Sequence, residues 1–122
     1  DEITASGLNA TARDMARLAL MVADGDQIPS PARASILAGG NRELFAASHY
    51  AQRAAGSYRS QWWVSHDARS SISALGVFGQ RVVIDMDTGL TMVRFGSHPL
   101  ASNLHTDGLH RLAMDALRRL LT

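Results

Sequence analysis

Apolar residues recur every three or four positions early in the chain, within the stretch SGLNATARDMARLALMVADGD. This spacing places four of them on one face of a helix: Met15, Leu18, Ala19 and Val22. Thr11 followed by Asp14 resembles a capping box, with Asn9 as an alternative cap. Gly25 is suited to end the helix at its C-terminus. The pattern predicts a helix at roughly residues 11–24.

The next stretch, QIPSPARASILAGG, turns at two prolines. Proline favours the first helical positions, so we expect a short helix from near Ser30 to Gly39-Gly40. The following NRELFAASHYAQRAAG predicts another short helical turn, closed by Gly56. Residues 1–56 are therefore predicted to form a helical segment, and residues 57–122 antiparallel strands with a closing helix.

Three later stretches are rich in residues that favour strands: SYRSQWWVSH, GQRVVID and LTMVRFGS. Between the last two, Asp87-Thr88-Gly89 is typical of a hairpin turn, with Gly89 able to adopt a positive φ. The intervening DARSSISAL is predicted as a polar loop or a frayed edge. The pattern therefore predicts a meander of three antiparallel strands.

HTDGLHRLAMDALRRLLT at the end of the chain has a helical period. Asp107 near its start and Arg118 and Arg119 near its end suit the helix dipole. Its apolar stripe should pack on the meander: Leu109, Leu112, Ala113, Ala116, Leu117 and Leu120. The expected fold class is α+β, but three strands and one packed helix make a thin core, which suggests that part of the fold is missing.

Composition and net charge limit the kinds of function that the sequence supports. Hydrophobic residues make up 46% and charged residues 19% of the 122 residues, as in ordinary globular domains. The net charge of +1, without a basic block, gives nucleic-acid binding little support. No apolar run reaches the length of a membrane span, and no signal peptide is visible. Both a cytoplasmic and a secreted bacterial location stay open.

The sequence offers few residues or motifs that could carry out catalysis or bind a metal or cofactor. Cysteine is absent, and all 12 basic residues are arginine, so the chain offers no thiol and no lysine base. The five histidines form no tight metal-ligand pair, and neither a metal nor a cofactor is predicted. There is no GxSxG elbow, and GVFGQ does not match GxGxxG. The glycines of GVFGQ would equally suit a bend or a bulge.

Four stretches in order are nevertheless familiar: GLNATARDMARLALMVADGD, SYRSQWWVS, GVFGQRVVIDMDTGLTMVRFGSHP and the closing helix. Together they resemble the C-terminal part of β-lactamase/penicillin-binding-protein-like serine hydrolases, closest to the 6-aminohexanoate-dimer hydrolase and esterase branch. The resemblance implies a β-lactamase/transpeptidase-like fold, here partial. The family combines a helical domain with an α/β domain that holds a five-stranded antiparallel sheet.

In that family an SxxK motif supplies the nucleophile and base, a YxN-like tyrosine follows, and a KTG-like strand completes the site. Without lysine this chain cannot contain SxxK. The resemblance implies that SxxK, the tyrosine and two early strands lie upstream. The KTG-like position would fall near Ser73 to Val77, where this sequence departs from KTG.

By the same resemblance, the backbone N–H of Val77 is the candidate oxyanion donor, and Gly76 lets the backbone approach closely. Phe78, Gly79 and Gln80 would form the adjacent substrate-binding wall.

The resemblance predicts part of a serine hydrolase that cleaves amides or esters through an acyl-enzyme, inactive without its upstream segment. Its partners would be that segment and a small amide or ester substrate, with no nucleic acid. The alternative is a non-catalytic structural or binding module that keeps the sheet without the site, and a homo-oligomer could then cover the sheet edge.

Overall fold

A computed structural model of the chain describes residues 7–53 and 56–122. Four helices and five strands follow one another in these ranges. The helices are α1 (Ala12–Asp24), α2 (Ser30–Ala38), α3 (Arg42–Ala46) and α4 (Asp107–Leu121). The strands are β1 (Ser57–Arg59), β2 (Trp62–Val64), β3 (Ile72–Leu75), β4 (Arg81–Ile84) and β5 (Thr91–Arg94). Residues 1–6 and 54–55 of the predicted helical segment lie outside the described residues.

Helix α1 begins and ends where its sequence predicts. The Thr11 hydroxyl accepts the N–H of Asp14 at 3.1 Å and donates to its carboxylate at 2.8 Å, so Thr11 rather than Asn9 is the cap. Gly25 ends the helix with a φ of 79°, and its N–H donates to the carbonyl of Met21. Ala19 and Val22 on the predicted face are buried.

The sheet has five strands in the order β1-β2-β3-β4-β5, with every neighbouring pair antiparallel. The prediction of three strands is therefore wrong. SYRSQWWVSH forms two strands, because Ser60 and Gln61 both take positive φ and reverse the chain. Such a turn usually carries Asn or Gly, and Ser-Gln gives no such signal in the sequence.

The second error concerns β3, which lies within the stretch predicted as a polar loop or frayed edge. Its residues instead form the middle strand of the sheet, and Ile72 and Ala74 point into the same core as Ile84 and Val82 on β4. This alternation is only four residues long and follows a polar run, which hides its period of two. The β4–β5 turn is as predicted, with Gly89 at a φ of 71°.

Helix α1 packs against β4 and β5 and covers one face of the sheet. The buried centre of this apolar core is formed by Ala19, Val22, Val64, Ile72, Val82 and Ile84. Half-buried side chains complete it: Met15, Ala23, Ile28, Ile36, Leu37, Trp62, Ala74, Met86 and Val93.

Helix α4 turns a different face inward from the one predicted. Its buried residues are Asp107, His110 and Met114, whereas Leu109, Leu112 and Leu120 of the apolar stripe are exposed, Leu112 to 67%, and Leu117 is half-buried. Arg118 of α4 binds the buried carboxylate of Asp85 with Nε and Nη2, both at 2.7 Å. Because ion pairs set the rotation of the helix, the prediction that the apolar stripe packs on the meander is wrong.

The described residues include no helix that is long and apolar enough to span a membrane.

Candidate active site

The turn between β3 and β4 spans residues 76–80 and forms a short 3₁₀ turn over Val77–Gly79. It closes with a hydrogen bond from the N–H of Gly76 to the carbonyl of Gln80, at 2.9 Å. Phe78 has a φ of 56°, a left-handed conformation that is uncommon outside glycine, and Gly79 follows at 95°. Phe78 is strained in this conformation and needs support from its surroundings, whereas glycine adopts a positive φ without strain.

Four of the five backbone N–H groups of this turn have acceptors. Those of Gly76 and Gln80 bond within the turn, that of Phe78 bonds to the carbonyl of Ala101, and that of Gly79 bonds to a side-chain amide oxygen. The N–H of Val77 has no partner within residues 7–53 and 56–122. Val77 is 56% exposed, so the residue lies at the surface.

The segment that follows β5 fixes the position of the turn. The Gln80 side chain donates to the carbonyl of Gly96 at 2.6 Å and accepts its N–H at 3.2 Å. Arg94 Nε donates to the carbonyl of Gly79, and the N–H of His98 donates to the carbonyl of Phe78, each at 3.0 Å. The two stretches are therefore built as one unit.

An open, largely apolar groove of about 500 Å³ lies beside the turn. It is bordered by α1, by the tryptophans of β2, and by Gly76 and Gln80 at the end of β3 and the start of β4. Val77, Phe78 and Gly79 do not line it. The structure thus places Gly76 and Gln80 at the groove, with Phe78 on the exposed side of the turn and Gly79 buried beneath it.

Comparisons with known proteins show what the chain as a whole is similar to, and no family model matches it. The 6-aminohexanoate-dimer hydrolase of Paenarthrobacter ureafaciens is 33% identical over 93% of the chain. The solved structure "Putative 6-aminohexanoate-dimer hydrolase from Bacillus anthracis" superposes with a TM-score of 0.71 and 30% identity, also over 93% of the chain. In sequence and fold, the chain resembles 6-aminohexanoate-dimer hydrolases. The resemblance to this branch, expected from the four sequence stretches, is confirmed.

The chain spans about a third of these hydrolases, 31% of the Paenarthrobacter protein and 30% of the Bacillus chain. The similarity supports a hydrolase-type function. Among the described residues, no group of three or more His, Cys, Asp or Glu side chains is placed to hold a metal ion.

One pair in the structure has the form of a nucleophile and its base. The hydroxyl of Ser57 lies 2.7 Å from Nε2 of His66. However, Ser57 is fully buried, and its oxygen also accepts the N–H of Gly40 at 3.1 Å. A substrate carbonyl cannot reach a hydroxyl in this position, so the pair is a structural hydrogen bond.

A charged cluster joins α4 to the sheet. Arg81 binds Asp107, and Arg53 lies 3.8 Å from the same carboxylate. Burial lowers the pKa of Arg81 despite its bond to Asp107, and the neighbouring arginines add to the effect. Burial, reinforced by Arg81 and Arg94, also lowers the pKa of His110 to about 4, so this imidazole is neutral at pH 7.

At the other end of α4, the hydrogen bonds that Arg118 donates to Asp85 raise the pKa of Arg118, which stays charged. Burial alone would raise the pKa of Asp67, but hydrogen bonds from Ser71, Ser65 and Arg69 outweigh it and lower that pKa. Ser71 in turn donates to Asp85 at 2.8 Å, so these carboxylates share one network. The network holds the helix on the sheet and lies apart from the free N–H.

Proposed function

We propose that this chain is part of a serine hydrolase that cleaves amide or ester bonds through an acyl-enzyme, within a β-lactamase/transpeptidase-like fold. Its contribution to catalysis is the N–H of Val77, which binds the oxyanion of the tetrahedral intermediate. The observation that carries the proposal is that this donor alone, among the N–H groups of its turn, lacks a partner within the described residues.

The geometry suits this role. An oxyanion donor must be fixed in advance, because a donor that reorients during the reaction loses much of its electrostatic benefit. The turn is held by bonds to Gly96, His98 and Ala101, and the groove beside it offers an apolar wall for an acyl chain. Short amides, such as the 6-aminohexanoate dimer named in both relatives, are the substrate class that we propose.

The nucleophile and its base lie in the remainder of the complete protein. No lysine is available here, and Ser57 is inaccessible. Leu109, Leu112 and Leu120 form an exposed leucine row on α4. This row supports a second contact with that remainder, because an exposed apolar row of this kind is normally covered by another surface. We propose that the upstream segment packs on this row. The same row also favours the alternative of a binding module or homo-oligomer, in which a second copy would cover it.

The test replaces the N–H itself, in the complete protein. Val77→Pro removes the donor, and Gly76 before it is already extended with φ of −104° and ψ of 175°, a conformation that suits a residue before proline. We expect kcat for amide hydrolysis to fall about 10²- to 10³-fold, as when other oxyanion donors are lost. Val77→Ala keeps the N–H and is the matched control, with kcat expected within about threefold of the parent value. Equal activity of the two variants would contradict the proposed role.

A further inference from the structure

We propose that Asn103 is the positioning residue that aims the N–H of Val77 at the substrate. Asn103 lies in the loop between β5 and α4, and only 3% of it is exposed. Its Oδ1 accepts the N–H of Gly79 at 2.8 Å, and its Nδ2 donates to the carbonyl of Gly76 at 2.5 Å. This inference rests on the proposed function, because it assigns a role to the side chain behind the same donor.

The contact with Gly76 is the decisive one. The carbonyl of Gly76 and the N–H of Val77 belong to the same peptide group, which is planar and trans, so the two bonds point in opposite directions. A hydrogen-bond donor that fixes the carbonyl of Gly76 therefore also fixes the direction of the Val77 N–H on the opposite side of the peptide plane. A hydrogen bond to the carbonyl also polarises the peptide group and strengthens its N–H as a donor.

Other contacts of the turn do not do this. The bonds from Arg94 and His98 reach the carbonyls of Gly79 and Phe78, which lie beyond the Val77 peptide group. The Gln80 side-chain amide bonds to Gly96 and makes no hydrogen bond to that group. Asn103 thus bridges the turn at both ends, and within the described residues only its side chain bonds to the carbonyl of Gly76.

The chemistry requires an amide at this position. One side chain must both accept from Gly79 and donate to Gly76, without carrying a charge into a buried place. Leucine has a similar size but can do neither. An aspartate can accept in its ionised form, but it can donate to Gly76 only after it has taken up a proton. In the aspartate variant, the hydrogen bond to the carbonyl of Gly76 is therefore absent when the carboxyl group is ionised and present when it is protonated.

The experiment uses Asn103→Leu and Asn103→Asp in the complete protein, with kcat and KM measured against the parent protein for an amide substrate. For Asn103→Leu we expect kcat to fall about 10- to 100-fold with KM within about threefold, because the donor acts mainly in the transition state. For Asn103→Asp we expect a similar loss at pH 8. We expect its kcat relative to the parent to recover at least fivefold as the pH falls to 5, because protonation restores the donor to Gly76.

Ser57→Ala is the control for general destabilisation. It removes two hydrogen bonds, to Gly40 and His66, that do not involve the turn, and we expect it to lower stability while kcat stays within about threefold. If Asn103→Leu does not fold, the pH dependence of kcat in Asn103→Asp is sufficient to test the positioning role. Loss of kcat without recovery at low pH would overturn the positioning role.

The inference and the proposed function can fail separately. Loss of kcat in Val77→Pro with unchanged kcat in both Asn103 variants would overturn the inference and leave the proposed function standing. Unchanged kcat in Val77→Pro would remove the oxyanion role from Val77, and the inference would then fall with it.

Discussion

The two faces of the sheet are covered by helices that dock in opposite ways. Helix α1 presents its apolar face to the sheet and leaves its charged residues in solvent. Helix α4 presents Asp107, His110 and Arg118 to the sheet and leaves Leu109, Leu112 and Leu120 exposed. The first face gains its stability from burial of apolar area, and the second gains its orientation from paired charges. An apolar stripe alone therefore does not tell which side of a helix faces the core.

The largest expected effect is on the apolar face. Ile84 of β4 is fully buried at the centre of the core under α1. Ile84→Ala removes three buried carbon atoms and leaves a cavity, so we expect the free energy of unfolding to fall by about 3–4 kcal/mol. Ile84→Val, which removes one methyl group, is the matched control at about 1 kcal/mol. Urea unfolding measures both, and equal small losses would mean that this face is not the main core.

The second prediction concerns pH and the charged face. His110 has its pKa lowered to about 4, whereas an unfolded histidine titrates near 6.5. Between these values the unfolded state binds a proton that the folded state does not, so stability is full above pH 6.5 and is lost as the pH falls toward 4. From pH 7 to pH 5 we expect a loss of about 2 kcal/mol from this group.

His110→Gln removes this titration and isolates it from other groups. The difference in unfolding free energy between pH 7 and pH 5 should therefore shrink by about 2 kcal/mol in the variant. Asp67 does not interfere, because its pKa is lowered from an ordinary value of 3.8 and its contribution is lost only below this window. An unchanged pH dependence in His110→Gln would show that the imidazole does not stay neutral on this face.

Sequence reasoning reached the features that depend on neighbours along the chain. The capping box of Thr11, the stop at Gly25 and the turn at Gly89 are all local, and each is confirmed. The features that it missed depend on residues far apart. Asp85 and Arg118 are 33 positions apart, and their pairing, which sets the rotation of α4, has no signature in a helical pattern.

In the candidate site, too, the sequence led to some residues and missed one that depends on distant contacts. The resemblance singled out Gly76 and Val77, and the structure places them in one exposed turn, although their catalytic role stays a prediction. Asn103 went unnoticed because it lies 27 residues from Gly76 in a loop without periodicity. A polar residue between a strand and a helix is common on a surface, and only the fold reveals that this one is buried.

The smallest expected effect tests what covers the leucine row of α4. Leu112 is 67% exposed, so in the 122-residue chain Leu112→Ser should change the free energy of unfolding by less than about 0.5 kcal/mol. If the upstream segment packs on the row, the same substitution in the complete protein should cost about 1–3 kcal/mol, because the leucine is then buried. Arg111→Ser, at an exposed neighbouring position, is the control and should behave alike in both proteins. Equal values for Leu112→Ser in the two proteins would contradict the proposed contact and would leave the row to a second copy or to solvent.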